Sequence, residues 1–206
     1  MTKRVEAVAR HFDDRASRYD NPLTAFIGER ELRVIRPLVP AGAQVLDYGC
    51  GTGRSALDHL RRGCRVTAFD VSRNMLAFAQ RRARDEGWSA DVEFTSDESV
   101  LAGRTWPVVT AIGVLDYYAE PVPLLNTLSR YMTPAGCLVV TYPNALSPLA
   151  WSYALGSRFT FPAIPRTPAF ACCAAEAADL KVVHLAYAFP SVKLWGHTLV
   201  LKLARR

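Results

Sequence analysis

The sequence predicts an α/β protein built on a doubly wound, mostly parallel sheet of seven strands. Between residues 44 and 142, short apolar runs alternate with helical segments, which is typical of βαβ units. One apolar run, at Val45 and Leu46, leads into glycine at every second position and then into a helical pattern. The last two apolar runs are joined by a link too short for a crossover helix, so they should pair antiparallel. At 206 residues the chain fits one domain.

The elements follow from the apolar spacing. Residues 1–40 are expected to form an N-terminal helical cap, since apolar residues recur there at helical spacing with a break at Pro22. Strands are predicted at 44–47, 65–70, 92–95, 108–112, 137–142, 181–189 and 197–203, the last of them antiparallel. Helices are predicted at 55–62, 73–86, 122–132 and 169–179.

The segment 143–170 breaks the alternation of strands and helices. It is rich in proline, it carries the aromatic residues Trp151, Tyr153, Phe159 and Phe161, and its charged residues are Arg158 and Arg166. A disordered linker would be more polar, so these aromatic residues favour a lid over a substrate.

The charge pattern argues against a nucleic-acid partner. The net charge is +6, but residues 1–104 carry 17 basic and 15 acidic residues, so the excess forms no basic stripe. Residues 105–206 hold 8 basic and 4 acidic residues and are rich in apolar side chains. That half could pack in the sheet and against a second subunit, form an apolar substrate pocket, or touch a membrane surface.

The cysteines and the N-terminus indicate a cytoplasmic protein. The five cysteines show no metal-ligand spacing, and adjacent Cys172 and Cys173 would pair poorly. The N-terminus lacks the apolar core of a signal peptide, and no apolar run approaches the ~20 residues that cross a bilayer. Unpaired cysteines fit a reducing compartment.

The turn after the first strand has the composition of a nucleotide site. Gly51 and Gly53, followed by Ala56, formally match a dinucleotide fingerprint, and Asp70 lies at roughly the right distance to bind a ribose. A pyrophosphate, however, is disfavoured by a nearby negative charge, and Asp47 directly precedes the turn. An ammonium-bearing ligand without phosphate, such as S-adenosylmethionine, suits this carboxylate better.

Four motifs together resemble the class I S-adenosylmethionine-dependent methyltransferases. They are VLDYGCGTG at residues 45–53, AFDVSRNML at 68–76, FTSDES at 94–99, and the opening HFDDRASRYD at 11–20. The last is similar to the branch that includes the quinone-biosynthesis and other small-molecule methyltransferases. The resemblance covers nearly all of residues 12–142 and implies a Rossmann-like fold and S-adenosylmethionine as the methyl donor. Together with the length of the chain, it predicts a single methyltransferase domain over residues 1–206.

The resemblance also implies the roles of individual residues. Asp47 would hold the methionine ammonium directly or through water, and Asp70 would accept both ribose hydroxyls. Asp97 would accept the adenine amine. The remaining cofactor contacts implied are Tyr19 as a cap over the cofactor, Gly49, Cys50 and Gly51 at the turn, Val71 and Met75 against the adenine, and Gly113 at the methionine end. The alternative for Asp70 and Asp97 is that each caps a helix.

The sequence offers no convincing catalytic base. Among the histidines, His59 is expected to lie on a solvated helix face, while His184 and His197 lie on terminal strands that we expect away from the cofactor. Asp116 and Tyr117 follow the fourth strand, where parallel sheets bind ligands, so they are the acceptor-side candidates, with capping of the next helix as the alternative. The segment between residues 106 and 170 has no paired acidic cluster, so no metal is expected.

The aromatic, nearly uncharged lid predicts the kind of acceptor. We expect an apolar or amphiphilic small molecule, with a quinol, an isoprenoid or polyketide-like compound, or a lipid head group as examples. Two other functions stay open at this point. One is an NAD(P)-binding oxidoreductase, and the other is a non-catalytic binding protein that keeps the fold.

Overall fold

A computed structural model of the chain describes residues 9–14, 22–157, 163–190 and 192–206. Its strands are β1 (Gln44–Tyr48), β2 (Arg65–Phe69), β3 (Val92–Thr95), β4 (Trp106–Ala111), β5 (Met132–Pro143), β6 (Leu180–Ala188) and β7 (Thr198–Arg205). Its α-helices are α1 (Pro22–Ile35), α2 (Arg54–Arg61), α3 (Arg73–Asp85), α4 (Val122–Arg130), α5 (Pro148–Ser157) and α6 (Pro168–Ala177). Short 3₁₀ helices lie at Arg36–Leu38, Glu98–Leu101 and Leu115–Tyr117.

The strands form one sheet in the order β3-β2-β1-β4-β5-β7-β6. The first five strands pair in parallel, whereas β7 is antiparallel to both β5 and β6. The predicted seven-stranded, doubly wound sheet with an antiparallel last strand is therefore confirmed. The direction of winding reverses between β1 and β4, and open α/β sheets bind ligands at the carboxyl ends of the strands at such a point.

Each face of the sheet has its own apolar core. Val45 and Val108 pack in the core that α1, α2 and α3 cover, while their neighbours Leu46 and Val109 pack in the core that α4 and α6 cover. Successive side chains of a strand point to opposite faces, so strands buried on both sides read as continuous apolar runs. This pattern is why the strands could be found from the sequence.

Helix α2 is buried on nearly every side, which corrects one expectation. Residues 55–60 are all buried, because α2 contacts α1 and α3 as well as β1 and β2. The prediction that His59 lies on a solvated helix face is therefore wrong, since its exposed fraction is 0%. Burial lowers the pKa of His59 below its ordinary value, so the imidazole is kept neutral. Asp58 beside it is paired with Arg36 at 2.7 Å.

The segment 143–170 contains a helix, α5, that the proline content concealed. Pro148 and Pro168 are the first residues of α5 and α6, where a missing N–H costs nothing. The Thr167 side chain accepts the Phe170 N–H at 3.1 Å and so caps α6. The prolines therefore begin helices here rather than interrupting them.

The N-terminal part of the chain is helical where it is described, over residues 9–13 and in α1. Asp13 accepts hydrogen bonds from the Ser72 hydroxyl at 2.5 Å and the Asn74 N–H at 3.1 Å. These bonds fasten the first helical segment to the start of α3. Among the helices of the described ranges, none is both long enough and apolar enough to span a membrane.

Candidate functional site

A cleft opens at the carboxyl ends of β1, β2 and β4, where the winding of the sheet reverses. Its volume is about 800 Å³, including space open to solvent. The lining residues are mostly aromatic, aliphatic or glycine: Phe12, Tyr48, Gly49, Gly51, Phe69, Asp70, Val71, Met75, Glu98, Ile112, Gly113, Val114, Tyr117 and Tyr118. The cleft is thus apolar, with a small number of polar groups to orient a ligand.

The turn between β1 and α2 needs glycine at three positions. Gly49, Gly51 and Gly53 have φ angles of 75°, 55° and 85°, in the left-handed region that side chains disfavour. The Gly49 N–H donates to the Phe69 carbonyl at 2.7 Å, which ties the turn to the end of β2. A Cβ on Gly53 would lie 2.9 Å from the Ala79 Cβ, so this glycine also lets α2 approach α3. The result is an exposed backbone against which a ligand can lie.

Asp70 lines the cleft directly after β2. Its two carboxylate oxygens accept the N–H groups of Gly51 and Ser72, both at 2.8 Å. Burial raises the pKa of Asp70 to about 6, although these two hydrogen bonds lower it. Each oxygen accepts one hydrogen bond and has lone pairs left, so the carboxylate could accept two neighbouring hydroxyls of a ligand. That geometry fits the predicted ribose contact.

Asp47 lies behind the glycine turn and outside the cleft lining. One of its oxygens accepts the Ser55 hydroxyl at 2.6 Å and the other accepts the Thr110 hydroxyl at 2.8 Å. The carboxylate therefore joins β1, α2 and β4. The Ser55 hydroxyl donates its hydrogen bond to Asp47, so its oxygen can still accept a hydrogen bond from a ligand. Ser55 also lines a second cavity.

That second cavity lies between α1 and the glycine turn and measures about 420 Å³. Three residues line both cavities, so the two meet across the turn: Gly49, Gly51 and Ile112. Glu31 and Arg54 place opposite charges in the second cavity. A side chain on Gly28 would overlap the Arg54 guanidinium, so this glycine makes room for the arginine. These two opposite charges suit the ammonium and carboxylate of an amino acid.

The sequence motifs missed Glu31 and Gly28, because α1 carries no recognisable motif. A usable signal was present in the spacing. Gly28, Glu31 and Leu32 stand three and four residues apart, so they share one face of α1. A glycine and an acid on the apolar face of an amphipathic helix indicate that this face lines a polar cavity as well as packing in the core.

The acid after the third strand, Asp97, has a capping role in the structure. Asp97 is exposed and accepts the Ser99 N–H at 2.9 Å, so it caps the 3₁₀ helix, which was the alternative role. Its neighbour Glu98 lines the cleft and accepts hydrogen bonds from the hydroxyls of Tyr48, at 2.9 Å, and Tyr131, at 3.2 Å. Burial raises the pKa of the Tyr48 phenol, so this donor stays protonated. Contact between Asp97 and an adenine amine stays a prediction.

The two acceptor-side candidates lie in the 3₁₀ helix after β4. Tyr117 lines the cleft, and its hydroxyl lies 3.1 Å from the Tyr153 hydroxyl of α5. Asp116 is buried, and its Oδ1 has no hydrogen-bond partner among the described residues. Burial raises the pKa of Asp116 to about 8, and the charge of Glu31 adds to this effect. Asp116 is therefore protonated at neutral pH and suited to donate a hydrogen bond.

His197 lies at the edge of the sheet where the cleft opens, but it lines neither cavity. Because β7 is antiparallel, it starts where β5 ends, and Thr198 pairs with Pro143. His197 Nδ1 is 2.9 Å from the Thr198 hydroxyl, which donates to Glu31 at 2.6 Å. A sequence argument could have found this position from the antiparallel pairing alone.

The structure brings most of the predicted cofactor residues together. Gly49, Gly51, Asp70, Val71, Met75 and Gly113 line the cleft, and Cys50 lines the second cavity. Asp47 and Asp97 are outside both linings, and Tyr19 lies outside the described residues. Over the described ranges, no group of three or more His, Cys, Asp or Glu residues is arranged to hold a metal ion.

Comparison with known proteins is consistent with this geometry. The profile of a family described as a methyltransferase domain matches residues 40–178. A ubiquinone biosynthesis O-methyltransferase of Xanthomonas axonopodis pv. citri is 28% identical over 148 residues, which is 70% of this chain and 62% of that protein. The corresponding protein of Azotobacter vinelandii is 28% identical over 172 residues, 79% of this chain and 71% of the relative. The chain thus spans less than two thirds of the Xanthomonas protein.

Solved structures share the fold. The magnesium protoporphyrin IX methyltransferase of Synechocystis PCC 6803, crystallised with S-adenosylhomocysteine, superposes with a TM-score of 0.75 at 20% identity. The superposition covers 98% of this chain and 99% of that one. At this identity the likeness supports the architecture alone.

Proposed function

We propose that this chain, which belongs to the methyltransferase domain family, transfers the methyl group of S-adenosylmethionine to an apolar or amphiphilic small molecule. The pair of cavities that meet at the glycine turn carries the proposal. The larger has aromatic walls and the Asp70 carboxylate, which suit a nucleoside. The smaller has Glu31 and Arg54, which suit an amino acid. S-adenosylmethionine joins a nucleoside to an amino acid without a phosphate.

Each proposed contact follows from a position in the two cavities. Asp70 accepts the ribose hydroxyls, Val71 and Met75 pack on the adenine, and Gly113 lines the path to the methionine end. Asp47 acts on the ammonium through Ser55, whose hydroxyl it orients. We propose one catalytic domain over residues 1–206, with residues 1–40 as a cap and 143–170 as a lid.

Electrostatics separates this proposal from a nicotinamide-dependent oxidoreductase. Glu31, Asp47 and Asp70 place three carboxylates around the glycine turn, against the guanidinium of Arg54 in the lining of the second cavity. This excess of negative charge disfavours a pyrophosphate and favours a ligand that carries an ammonium and a sulfonium. S-adenosylmethionine supplies a methyl group on a good leaving group, so the chain has to position the acceptor in line with it, which can contribute on the order of 7–11 kcal/mol.

The apolar residues that line the cleft suggest what kind of acceptor molecule it binds. Phe12 packs edge-on against Tyr117 with ring centroids 5.5 Å apart, and Val114 lines the same part of the cleft. A flat, apolar molecule can pack against such a wall. The relatives named for ubiquinone biosynthesis support a quinol-like acceptor with a hydroxyl to methylate.

Binding and turnover experiments test the proposal. In calorimetry, we expect heat of binding from S-adenosylhomocysteine and none from NADPH. With labelled S-adenosylmethionine, we expect methylation of a catechol or a quinol and none of free amino acids. Binding of NADPH in place of S-adenosylhomocysteine would show an oxidoreductase. Cofactor binding without methylation of any acceptor in a broad panel would favour a non-catalytic binding protein.

We also propose that the lid side of the molecule contacts an anionic membrane surface. Large apolar side chains are exposed on α5 and on the loop before β7: Leu149, Trp151, Leu155, Val192, Leu194 and Trp195. The Ser147 hydroxyl donates to the Trp195 carbonyl at 3.0 Å, which holds the two segments together as one patch. Lys193 lies within the patch and the net charge is +6, so anionic head groups are the fitting partner.

Sedimentation with vesicles tests this surface. We expect binding to phosphatidylglycerol vesicles, weak binding to phosphatidylcholine vesicles, and loss of binding when Trp151 and Trp195 are both replaced by Ser. Val183, exposed on β6, provides the control, because V183S removes an apolar side chain outside the patch. A dimer that buries the patch and ignores both kinds of vesicle would contradict the proposal and favour a second subunit as the partner.

A further inference from the structure

The loop between β4 and α4 forms one wall of the cleft. Val114, Tyr117 and Tyr118 of this loop line the cleft, and we call them the cleft wall. The regular structure in the loop is the short 3₁₀ helix Leu115–Tyr117, which has no side-chain cap. Loops that carry functional residues are positioned by the rigid scaffold around them. The contacts between this loop and its surroundings therefore decide where the cleft wall lies.

The end of the lid segment, residues 163–166, crosses this loop, and we call it the strap. At the start of the strap, the Ile164 N–H donates to the Asp116 carbonyl at 2.7 Å. At its end, the Arg166 N–H donates to the Pro143 carbonyl at 2.8 Å, which fastens the strap to the end of β5. The strap thus joins the loop after β4 to the neighbouring strand of the sheet.

The Arg166 side chain reaches from the strap to the backbone of the cleft wall. Its Nη2 donates to the carbonyls of Tyr118 and Ala119, at 3.2 Å and 2.5 Å. Its guanidinium carbon also lies 4.2 Å from the centre of the Phe170 ring. A planar guanidinium that lies over a ring has little freedom to turn, so the direction of its N–H groups is fixed. Arg166, one of the charged residues of the lid, therefore binds the cleft wall.

A separate contact holds the start of the same loop. The Gly113 N–H donates to the Thr141 hydroxyl at 2.8 Å, and Thr141 is buried within β5. Gly113 lines the cleft, and its neighbour Ile112 lines both cavities. This part of the loop therefore faces the place that we propose for the methionine end of the donor. The loop has one anchor at its donor end and another at its acceptor end.

The lid helix α5 contacts the cleft wall in a different way. The Tyr153 hydroxyl of α5 lies 3.1 Å from the Tyr117 hydroxyl. Two phenol hydroxyls can separate while the backbone that carries them stays in place. Arg166 binds backbone carbonyls instead, so it restrains the path of the loop itself.

We propose that Arg166 is a positioning residue for the acceptor, and that it holds the cleft wall independently of the contacts that hold the methyl donor. This role rests on the methyltransferase function proposed above. In-line transfer requires an acceptor atom at the right distance and angle, and a misplacement of about 1 Å can cost about 10²-fold in rate. A loosened cleft wall should therefore impair the use of the acceptor and leave the donor bound as before.

Steady-state kinetics with catechol and saturating S-adenosylmethionine tests this role. We expect R166M to lower kcat/KM for catechol by about 10- to 100-fold, because both contacts from Nη2 to the cleft wall are lost. In calorimetry, its affinity for S-adenosylhomocysteine should stay within about threefold of the unaltered protein. R166K keeps a donor that can reach one carbonyl, so it should recover part of the lost activity.

The reverse result is expected at the donor end of the loop. T141V removes the hydroxyl that accepts the Gly113 N–H. We expect it to weaken S-adenosylhomocysteine binding by about three- to tenfold, with a KM for catechol within about threefold. If T141V impaired the use of catechol as strongly as R166M does, the loop would move as one body, and the two anchors would not be independent.

Arg205 provides the matched control. Its Nη2 also donates to two backbone carbonyls, those of Ser129 and Met132, at 2.6 Å and 3.1 Å. Met132 begins β5, so this contact lies at the edge of the sheet away from the cleft. R205M removes the same kind of contact, and we expect it to change neither kcat/KM for catechol nor the affinity for S-adenosylhomocysteine by more than about twofold. An equal loss of activity in R205M and R166M would mean that lower stability is the cause, and would overturn the proposal.

The remaining outcomes separate this proposal from the proposed function. If R166M loses affinity for S-adenosylhomocysteine as strongly as activity on catechol, or loses neither, Arg166 does not position the acceptor, and the methyltransferase function stands. If the unaltered protein binds S-adenosylhomocysteine but does not methylate catechol, the cleft wall has no acceptor of this class to position, and the proposal fails. If it does not bind S-adenosylhomocysteine, the proposed function itself fails.

Hydrogen exchange tests the strap without any acceptor. In the 3₁₀ helix of the loop, the Tyr118 N–H donates to the Leu115 carbonyl at 3.2 Å. We expect R166M to speed exchange in a peptide that covers residues 114–120 and to leave exchange in β4 unchanged, because the loop opens locally when its restraint is removed. Unchanged exchange over residues 114–120 would contradict the role of Arg166 in holding the cleft wall.

Discussion

Replacing Asp70 with Ala is expected to weaken the binding of S-adenosylhomocysteine by about 10²- to 10⁴-fold, because two hydrogen bonds to a charged group are lost at about 1.5–3 kcal/mol each. Asp70 is 8% exposed and lines the cleft after β2. Its oxygens already accept the Gly51 and Ser72 N–H groups, which fixes them toward a ribose. D70N keeps one acceptor oxygen, so we expect an intermediate loss. Calorimetry measures both.

The matched control for this experiment is Asp97, which also follows a strand but is exposed and caps a 3₁₀ helix. D97A should weaken S-adenosylhomocysteine binding by less than about tenfold if Asp97 contacts the adenine amine through one bond. S-inosylhomocysteine lacks that amine, so comparing its affinity with that of S-adenosylhomocysteine shows which acid contacts the adenine amine. Discrimination between the two ligands should fall in D97A if Asp97 reads the amine, and in E98Q if Glu98 does. An affinity of D70A within threefold of the unaltered protein would refute the role of Asp70.

The acidity of Asp70 gives the same contact a pH dependence. Its pKa is raised to about 6 in the empty cleft, mainly by burial. Only the ionised carboxylate accepts two hydroxyls, so the affinity for S-adenosylhomocysteine should decline as the pH falls below about 6. This dependence should be absent from D70N.

The sheet and the glycine turn could be predicted because their signals are local. Runs such as Val45 and Leu46 face two cores at once, so each strand is apolar on both faces. The turn needs left-handed φ angles, which makes its glycines readable from the sequence. The position of Asp70 in the cleft could also be predicted from a local signal, since it directly follows the second strand.

The residues that were misplaced depend on contacts between distant segments. His59 is buried because α1 covers α2 from outside the sheet, and nothing near His59 in the sequence signals that cover. Glu31 belongs to the site because α1 crosses the glycine turn. His197 reaches the cleft edge because β7 inserts antiparallel between β5 and β6. In each case the tertiary arrangement, rather than the local pattern, decides the role.

Asp116 is the residue whose chemistry the structure changed most. Its position after β4 predicted a group on the acceptor side without a specific role. Its burial raises its pKa, so the carboxyl group is protonated at neutral pH. The pKa is raised to about 8, so the folded protein holds a proton that the unfolded chain releases near pH 4. The folded state therefore binds more protons between these values, and stability falls as the pH rises from about 4 to about 8.

Replacing Asp116 with Asn should remove this dependence, because Asn has the shape of the protonated acid and no proton to lose. Between pH 5 and pH 8, we expect the unaltered protein to lose about 1–3 kcal/mol of unfolding free energy relative to D116N, below the ~1.4 kcal/mol per pH unit that complete retention of the proton would give. Urea unfolding across this range measures it. Asp179, exposed after α6, provides the control, and D179N should follow the unaltered protein.

Measurements of methyl transfer should then show whether Asp116 acts as a hydrogen-bond donor. If Asp116 donates a hydrogen bond as a neutral acid, D116N keeps a donor at that place and should retain methylation of catechol within about tenfold, whereas D116A should not. Parallel stability curves for D116N and the unaltered protein would mean that Asp116 is ionised in the folded state. A protonated Asp116 cannot take the proton of the acceptor hydroxyl at neutral pH, so the role that we expect for it on the acceptor side is that of a hydrogen-bond donor.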